Sequence, residues 1–244
     1  MDNCLIIFQT SSNFYSLVFF TFWLILFVQS KPKDRKNVLF ASIFWGVGGV
    51  VEGYYLFAFD WVDPARLFGL PTGIEDFICG FGFGGSLNML WIKSIKRLEK
   101  VPRQHFLLTK YTTVVLSFSY LISRLILTHC FAIHSFYSLL IATLSVVIFL
   151  CWLIPEMIID VLKTSILFFF LTLFHIRAFL LVDGNSIEDS WLWEDMPFTT
   201  TLWQMPLLDI IWGVVLAAFI RAVRLAWAVT DAQEIRSLKS KKAN

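Results

Sequence analysis

The sequence predicts an all-α, polytopic membrane protein with seven transmembrane helices. Three observations predict it. Of 244 residues, 57% are hydrophobic and only 16% charged, where a soluble domain carries about 25% charge. Long apolar runs, each near the roughly 20 residues that span a bilayer, are separated by short polar ones. The polar segments then alternate between basic and acidic along the chain, which fixes an orientation.

Helices are expected over 6–28, 38–59, 72–92, 110–128, 135–153, 156–182 and 206–228. The first follows "MDNC", which lacks the positive start of a signal peptide, and ends at the basic "KPKDRK" (31–36). In the second, Gly46, Gly49 and Gly53 form one narrow side, with Glu52 beside it. The third opens after Pro71, a residue suited to a helix start, and runs through "GFGFGG" (80–85) to a basic stretch from Lys93 to Lys110. Only "THCFAIH" separates the fourth from the fifth, a poor break. The sixth carries His175 and Arg177 near its end and leads into "DGNSIEDSWLWEDM" (183–196), which has no Lys or Arg. The seventh follows Pro206 and ends in a basic tail (229–244), with Arg221 and Arg224 counted among the tail's charges.

Basic segments belong on the cytoplasmic side. Seven helices with the N-terminus outside put every basic segment inside and every acidic one outside. Merging the fourth and fifth helices would misplace both the acidic loop and the basic tail. The expected location is therefore an integral (plasma) membrane, with a cytoplasmic C-terminus.

A short internal match supports two parallel three-helix repeats joined by a connecting helix. "EDFICG" (75–80) aligns with "LDIIWG" (208–213); each has an acid four residues before a glycine and opens a helix after a proline. The single transmembrane domain, 1–244, then divides into a first repeat (1–92), a connecting helix (110–128) and a second repeat (135–228).

Ionisable groups inside a bilayer are costly, at about 2.5–3.5 kcal/mol on insertion scales, and usually face the interior and work. Glu52, Glu75, Asp76, Asp209, Arg177 and Arg124 fall in one outer layer of this topology; the inner half is far emptier. Adjacent helical residues point about 100° apart. Asp76 therefore heads a stripe with Gly80, Gly84 and Asn88, a close-packing face. Glu75 heads another with Cys79, Gly82 and Ser86, a face with more room. Trp61, Trp191, Trp193, Trp203 and Trp212 gather on the same outer side, where aromatic rings anchor at the interface or stabilise a cation.

Several functions are excluded. No basic patch interleaves with exposed aromatics, which argues against nucleic acid. Cys4, Cys79, Cys130 and Cys151 form no metal-ligand spacing. "GFGFGG" follows no strand, so it is not a dinucleotide fingerprint. The last helix has no lysine for a retinal Schiff base. A proton-coupled transporter would want a polar stripe through the inner half, which is missing; a catalytically silent relative of an enzyme is the other alternative.

"DWVDPARLFGLPTGIEDFICGFGFGG" (60–85) resembles the membrane-embedded, non-flavin lycopene cyclase domain family, found as paired subunits, fused chains and a fungal bifunctional protein. Pro71, Glu75, Asp76 and Phe77 match the family's proline, paired acids and aromatic helix. "PLLDIIWG" (206–213) resembles its second motif. Three residues, Thr72 to Ile74, separate proline from acids where the family has one, and Leu208 stands where a second acid is usual.

That resemblance implies an isomerase of the intramolecular-lyase type. A neutral carboxyl protonates a terminal double bond of a linear carotene-like polyene, the cation closes a ring, and a base removes a proton. Burial in hydrocarbon and a nearby carboxylate both favour a neutral carboxyl. The implied catalytic residues are Glu75, Asp76, Asp209 and Glu52, and the implied substrate contacts are Trp45, Trp61, Phe77, Phe81, Trp212 and Arg177. The net reaction needs no metal and no cofactor. The expected partners are a polyene or isoprenoid entering from the bilayer and the lipids themselves; a homo-oligomer is compatible with this.

Overall fold

A computed structural model describes residues 11–59, 73–90, 110–182, 201–202 and 205–243. Among them the chain is helical: α1 Ser11–Gln29, α2 Pro32–Phe59, α3 Ile74–Met89, α4 Lys110–His129, α5 Ser135–Leu153, α6 Ile158–Val182 and α7 Leu207–Ala243. A single 3-10 turn, Pro155–Met157, leads into α6. A small antiparallel pair, Thr201–Leu202 with Met205–Pro206, precedes α7.

Among the described residues, four stretches are long and apolar enough to cross a membrane: Tyr111–His129, Ser135–Leu153, Pro155–Phe174 and Ile210–Thr230. The apolar part of α1, Ser16–Gln29, is shorter. The 16 residues of α3 reach about 24 Å, less than the roughly 30 Å of a hydrocarbon core. Large apolar side chains cover the outside, among them Phe40 (74% exposed) and Trp152 (71%). Such a surface suits hydrocarbon rather than water.

Two boundaries differ from the sequence reading. α2 starts at Pro32, not 38, so most of "KPKDRK" is helical. Proline is pre-set for a first helical position and Asp34 suits the positive helix end. α7 runs to Ala243 instead of stopping at 228, because residues 229–243 contain no Gly or Pro and many good helix formers. The break between α4 and α5 falls within one residue of its expected place, although "THCFAIH" gives little sequence signal for it. Ile133 N donates to Leu127 O at 3.0 Å, and Ala132 has φ 51°. The helix ends on an alanine in the left-handed position that usually takes glycine. His134 then caps α5, its Nδ1 accepting from Phe136 N at 3.3 Å.

The chain forms two compact units. The first comprises Met1–Leu90 and Phe169–Gly213. Its centre is α3, which packs against α1 on one side and α2 on another. Gly82 meets the backbone of Phe19 and Phe20 on α1, while Gly80 meets Gly49 and Trp45 on α2. Trp23 Nε1 donates to Ser42 Oγ at 3.0 Å and joins α1 to α2. Trp23 also stacks on Phe27 and meets Phe81 edge-on.

The second unit comprises Trp91–Phe168 and Val214–Asn244. Its part of α7 is buried almost all round, through Ala217, Ala218, Phe219, Ile220, Arg221, Ala222 and Val223. Alanines there let neighbouring helices approach. Tyr120 of α4 lies on Phe219, with ring centroids 5.0 Å apart. A hydroxyl pair, Thr128 with Ser138 at 2.9 Å, holds the end of α4 to the start of α5.

Candidate functional site: the acidic end of α3

The site is built where α3 begins. Gly73 precedes the helix in extended conformation, and two acids follow it within the first turn. Asp76 Oδ2 accepts from Gly73 N at 3.0 Å, which satisfies a backbone donor that the helix start leaves open. The Glu75 carboxylate folds back over the same glycine: a Cβ on Gly73 would fall within 2.6 Å of its Cδ and Oε1. Both acids thus gather around one residue whose lack of a side chain admits them.

Glycines on α2 complete the arrangement. A Cβ on Gly53 would overlap the Asp76 carboxyl, and one on Gly49 would overlap the Asp76 carbonyl oxygen. Asp76 therefore sits in the α2–α3 seam. Glu52, the residue before Gly53, is buried at 8% exposure. Glu75 is buried at 3%, and Ser16 Oγ of α1 donates to its carbonyl at 2.6 Å. Three acids that lie on two helices are thereby brought to one end of the unit.

The faces of α3 now separate. One, with Asp76, Phe77, Gly80 and Gly84, meets α2: Phe77 lies against Gly46, and Trp45 against Gly84. A second, with Phe81, Gly82 and Gly85, meets α1. The third carries Glu75, Cys79, Phe83 and Ser86, and Phe83 meets Trp212 of α7 with centroids 6.3 Å apart. Gly82, read from the sequence as part of the Glu75 face, instead packs on α1; Phe83 takes its place. A helical wheel cannot say which edge of a stripe a neighbour will cover.

The remaining residues expected at the site fall as follows. Trp45, Phe77 and Phe81 are half-buried in the helix seams. Trp212 is half-buried beside Phe83. Arg177 is exposed on α6. Asp209 lies in the first turn of α7 in the same unit, and its side chain, like all of Trp61, is outside the described residues.

A second set of buried charges lies in the second unit, and of these the sequence singles out only Arg124. Arg221, counted with the basic tail, is fully buried in the second unit, and Asp160 is 3% exposed. The opposite charge of Asp160 and the like charge of Arg224 both act on it. Arg124 is 1% exposed and donates from NH1 to Tyr120 Oη at 3.3 Å. The signal was present as Asp160 early in the sixth helix and Arg221 within the seventh. Arg221 reads as a tail charge because it lies near the expected helix end, and the sequence reading does not single out Asp160.

No protein-family model, curated protein or solved structure matches this chain.

Proposed function

We propose that the protein is a membrane-embedded cyclase that protonates the end double bond of a linear, carotene-like polyene. One observation carries the reading: Glu75 is buried beside Asp76 at the start of a glycine-lined helix, on the face that bears Phe83 and meets Trp212. Glu75 is the proton donor. Asp76 already accepts the Gly73 amide and lies in the α2–α3 seam, which suits a positioning role. Glu52 is the candidate for the base or for a second carboxylate that steadies the cation. Asp209 is assigned with them from the motif "PLLDIIWG". Aromatic faces such as Trp212 and Phe83 stabilise a developing cation, at up to about 2 kcal/mol for a desolvated contact. A largely apolar substrate enters from the bilayer, so the acid need not meet bulk water.

The orientation proposed is that of the loop charges, with the N-terminus outside, the tail cytoplasmic and seven spans arranged as two repeats. Expression in a lycopene-accumulating bacterial host, followed by pigment chromatography, tests the activity. Cyclised pigment is expected from the native chain. Glu75→Gln keeps the shape but has no proton to give, so product falls by about 10²–10⁴-fold, the usual contribution of general acid catalysis. Protein levels in the membrane stay unchanged. A native chain that is well expressed and yields no cyclised product refutes the lycopene reading.

A further inference from the structure

Beyond Phe83, the third face of α3 reaches a group of polar atoms that a pure hydrocarbon ligand would leave stranded. Ser86, fully buried, lies one turn past Phe83. Trp212 faces Phe83 across the helix contact. Thr172 of α6, 5% exposed, stands opposite Gly213, the residue after Trp212. Among the described residues, Ser86 Oγ, Thr172 Oγ1 and Trp212 Nε1 are buried and have no hydrogen-bond partner. Gly213 makes room for the threonine hydroxyl, since a Cβ there would lie 2.6 Å from Oγ1.

Buried polar groups are normally paired, and leaving them unpaired is unfavourable. Serine and threonine within helices usually bond back to a carbonyl one turn earlier. Thr143 and Thr164 of this chain do so, at 2.6 and 2.7 Å. Ser86 and Thr172 do not. Indole Nε1 only donates, whereas the two hydroxyls donate or accept. An indole donor on α7, with one hydroxyl on α3 and another on α6, matches an oxygen that accepts at least one hydrogen bond.

We propose that this group binds the oxygen of an oxygenated linear isoprenoid, an alcohol or an aldehyde, whose double-bond end lies at Glu75. Phe83 and Ser86 lie roughly 12 and 16 Å beyond Glu75 along α3 at about 1.5 Å per residue. The ligand therefore holds its oxygen at about that distance from the reacting bond. This deepens the cyclase reading by naming the substrate class. The test reads binding, so a lack of turnover counts against the catalytic reading alone.

The probes are farnesol, geranylgeraniol, their aldehydes and the corresponding hydrocarbons, titrated into the full chain in detergent while tryptophan fluorescence is followed. The oxygenated ligands are expected to bind at least about tenfold more tightly than the hydrocarbons, the worth of one good hydrogen bond in a dry site. Thr172→Val and Ser86→Ala should each reduce that preference while leaving hydrocarbon binding in place. Ser86→Ala removes one atom, and a melting curve confirms that it folds. Equal affinity for alcohol and hydrocarbon, as expected if ordered water alone occupies the polar group, overturns the proposal. So does a preference for oxygen that survives both substitutions.

Discussion

Gly80→Ala is the sharpest test of how α2 and α3 fit together. The added methyl carbon would overlap the carbonyl oxygen of Trp45 and lie 2.8 Å from the Gly49 Cα and 3.0 Å from its nitrogen. Non-bonded heavy atoms are comfortable at about 3.5–4.0 Å. All three neighbours are backbone, so no rotamer change relieves the overlap, and the helices must separate by roughly 1 Å. Overpacking of this kind costs about 1–3 kcal/mol, and rigid neighbours put this case at the upper end. Gly48→Ala is the control. It sits on the same pair of helices, but its nearest neighbour, Trp45 Cε3, is 3.7 Å away, an ordinary contact. Alanine there gains about 0.5–1 kcal/mol of helix preference. Thermal unfolding of both variants in one detergent should therefore separate them, with Gly80→Ala less stable than the native chain and Gly48→Ala as stable or more so. A Gly80→Ala protein that melts with or above Gly48→Ala would mean that the seam is not close-packed, and the placement of Asp76 in it would fall as well.

Ala132→Gly removes the strain of a left-handed alanine and should raise stability by up to about 1 kcal/mol, read by thermal unfolding; a loss of stability would show that residue 132 is not left-handed. Asp160→Asn takes from Arg221 its opposite charge and should cost about 3 kcal/mol, as breaking a buried pair does; the double variant Asp160→Asn with Arg221→Met should recover part of that loss. His134 lies between α4 and α5, and burial lowers its pKa from the ordinary value of 6.5. The folded state thus favours the neutral ring that accepts from Phe136 N. Its contribution is fully present above pH 6.5 and is lost as the pH falls through the lower folded value. Stability measured from pH 7.5 to 5 should decline for the native chain by more than for His134→Ala, and parallel declines would refute the capping role.

The helices and the acid-bearing helix start were legible in the sequence for a simple reason. Bilayer thickness and helical rise fix how long an apolar run must be, and an acid inside such a run has few harmless places to go. The stripes of small residues on α2 and α3 were legible too, since 3.6-residue periodicity needs no partner to be read. The partner decides the rest. Whether Gly82 or Phe83 shares the Glu75 face depends on where α1 lies. That Glu75 and Asp76 both close on Gly73 depends on rotamers set by α2. The end of α4 was legible to within a residue; that Ala132 takes the left-handed position there, beside the backbone hydrogen bond from Ile133 to Leu127 and the Thr128–Ser138 pair across the turn, was not. Arg221 could not be told from a tail cation, because a charge near a helix end is solvated or buried according to what packs around it. The sequence determines which side chains each helix presents, since geometry along one helix is local; burial and pairing are properties of several helices at once, and only the tertiary structure decides them.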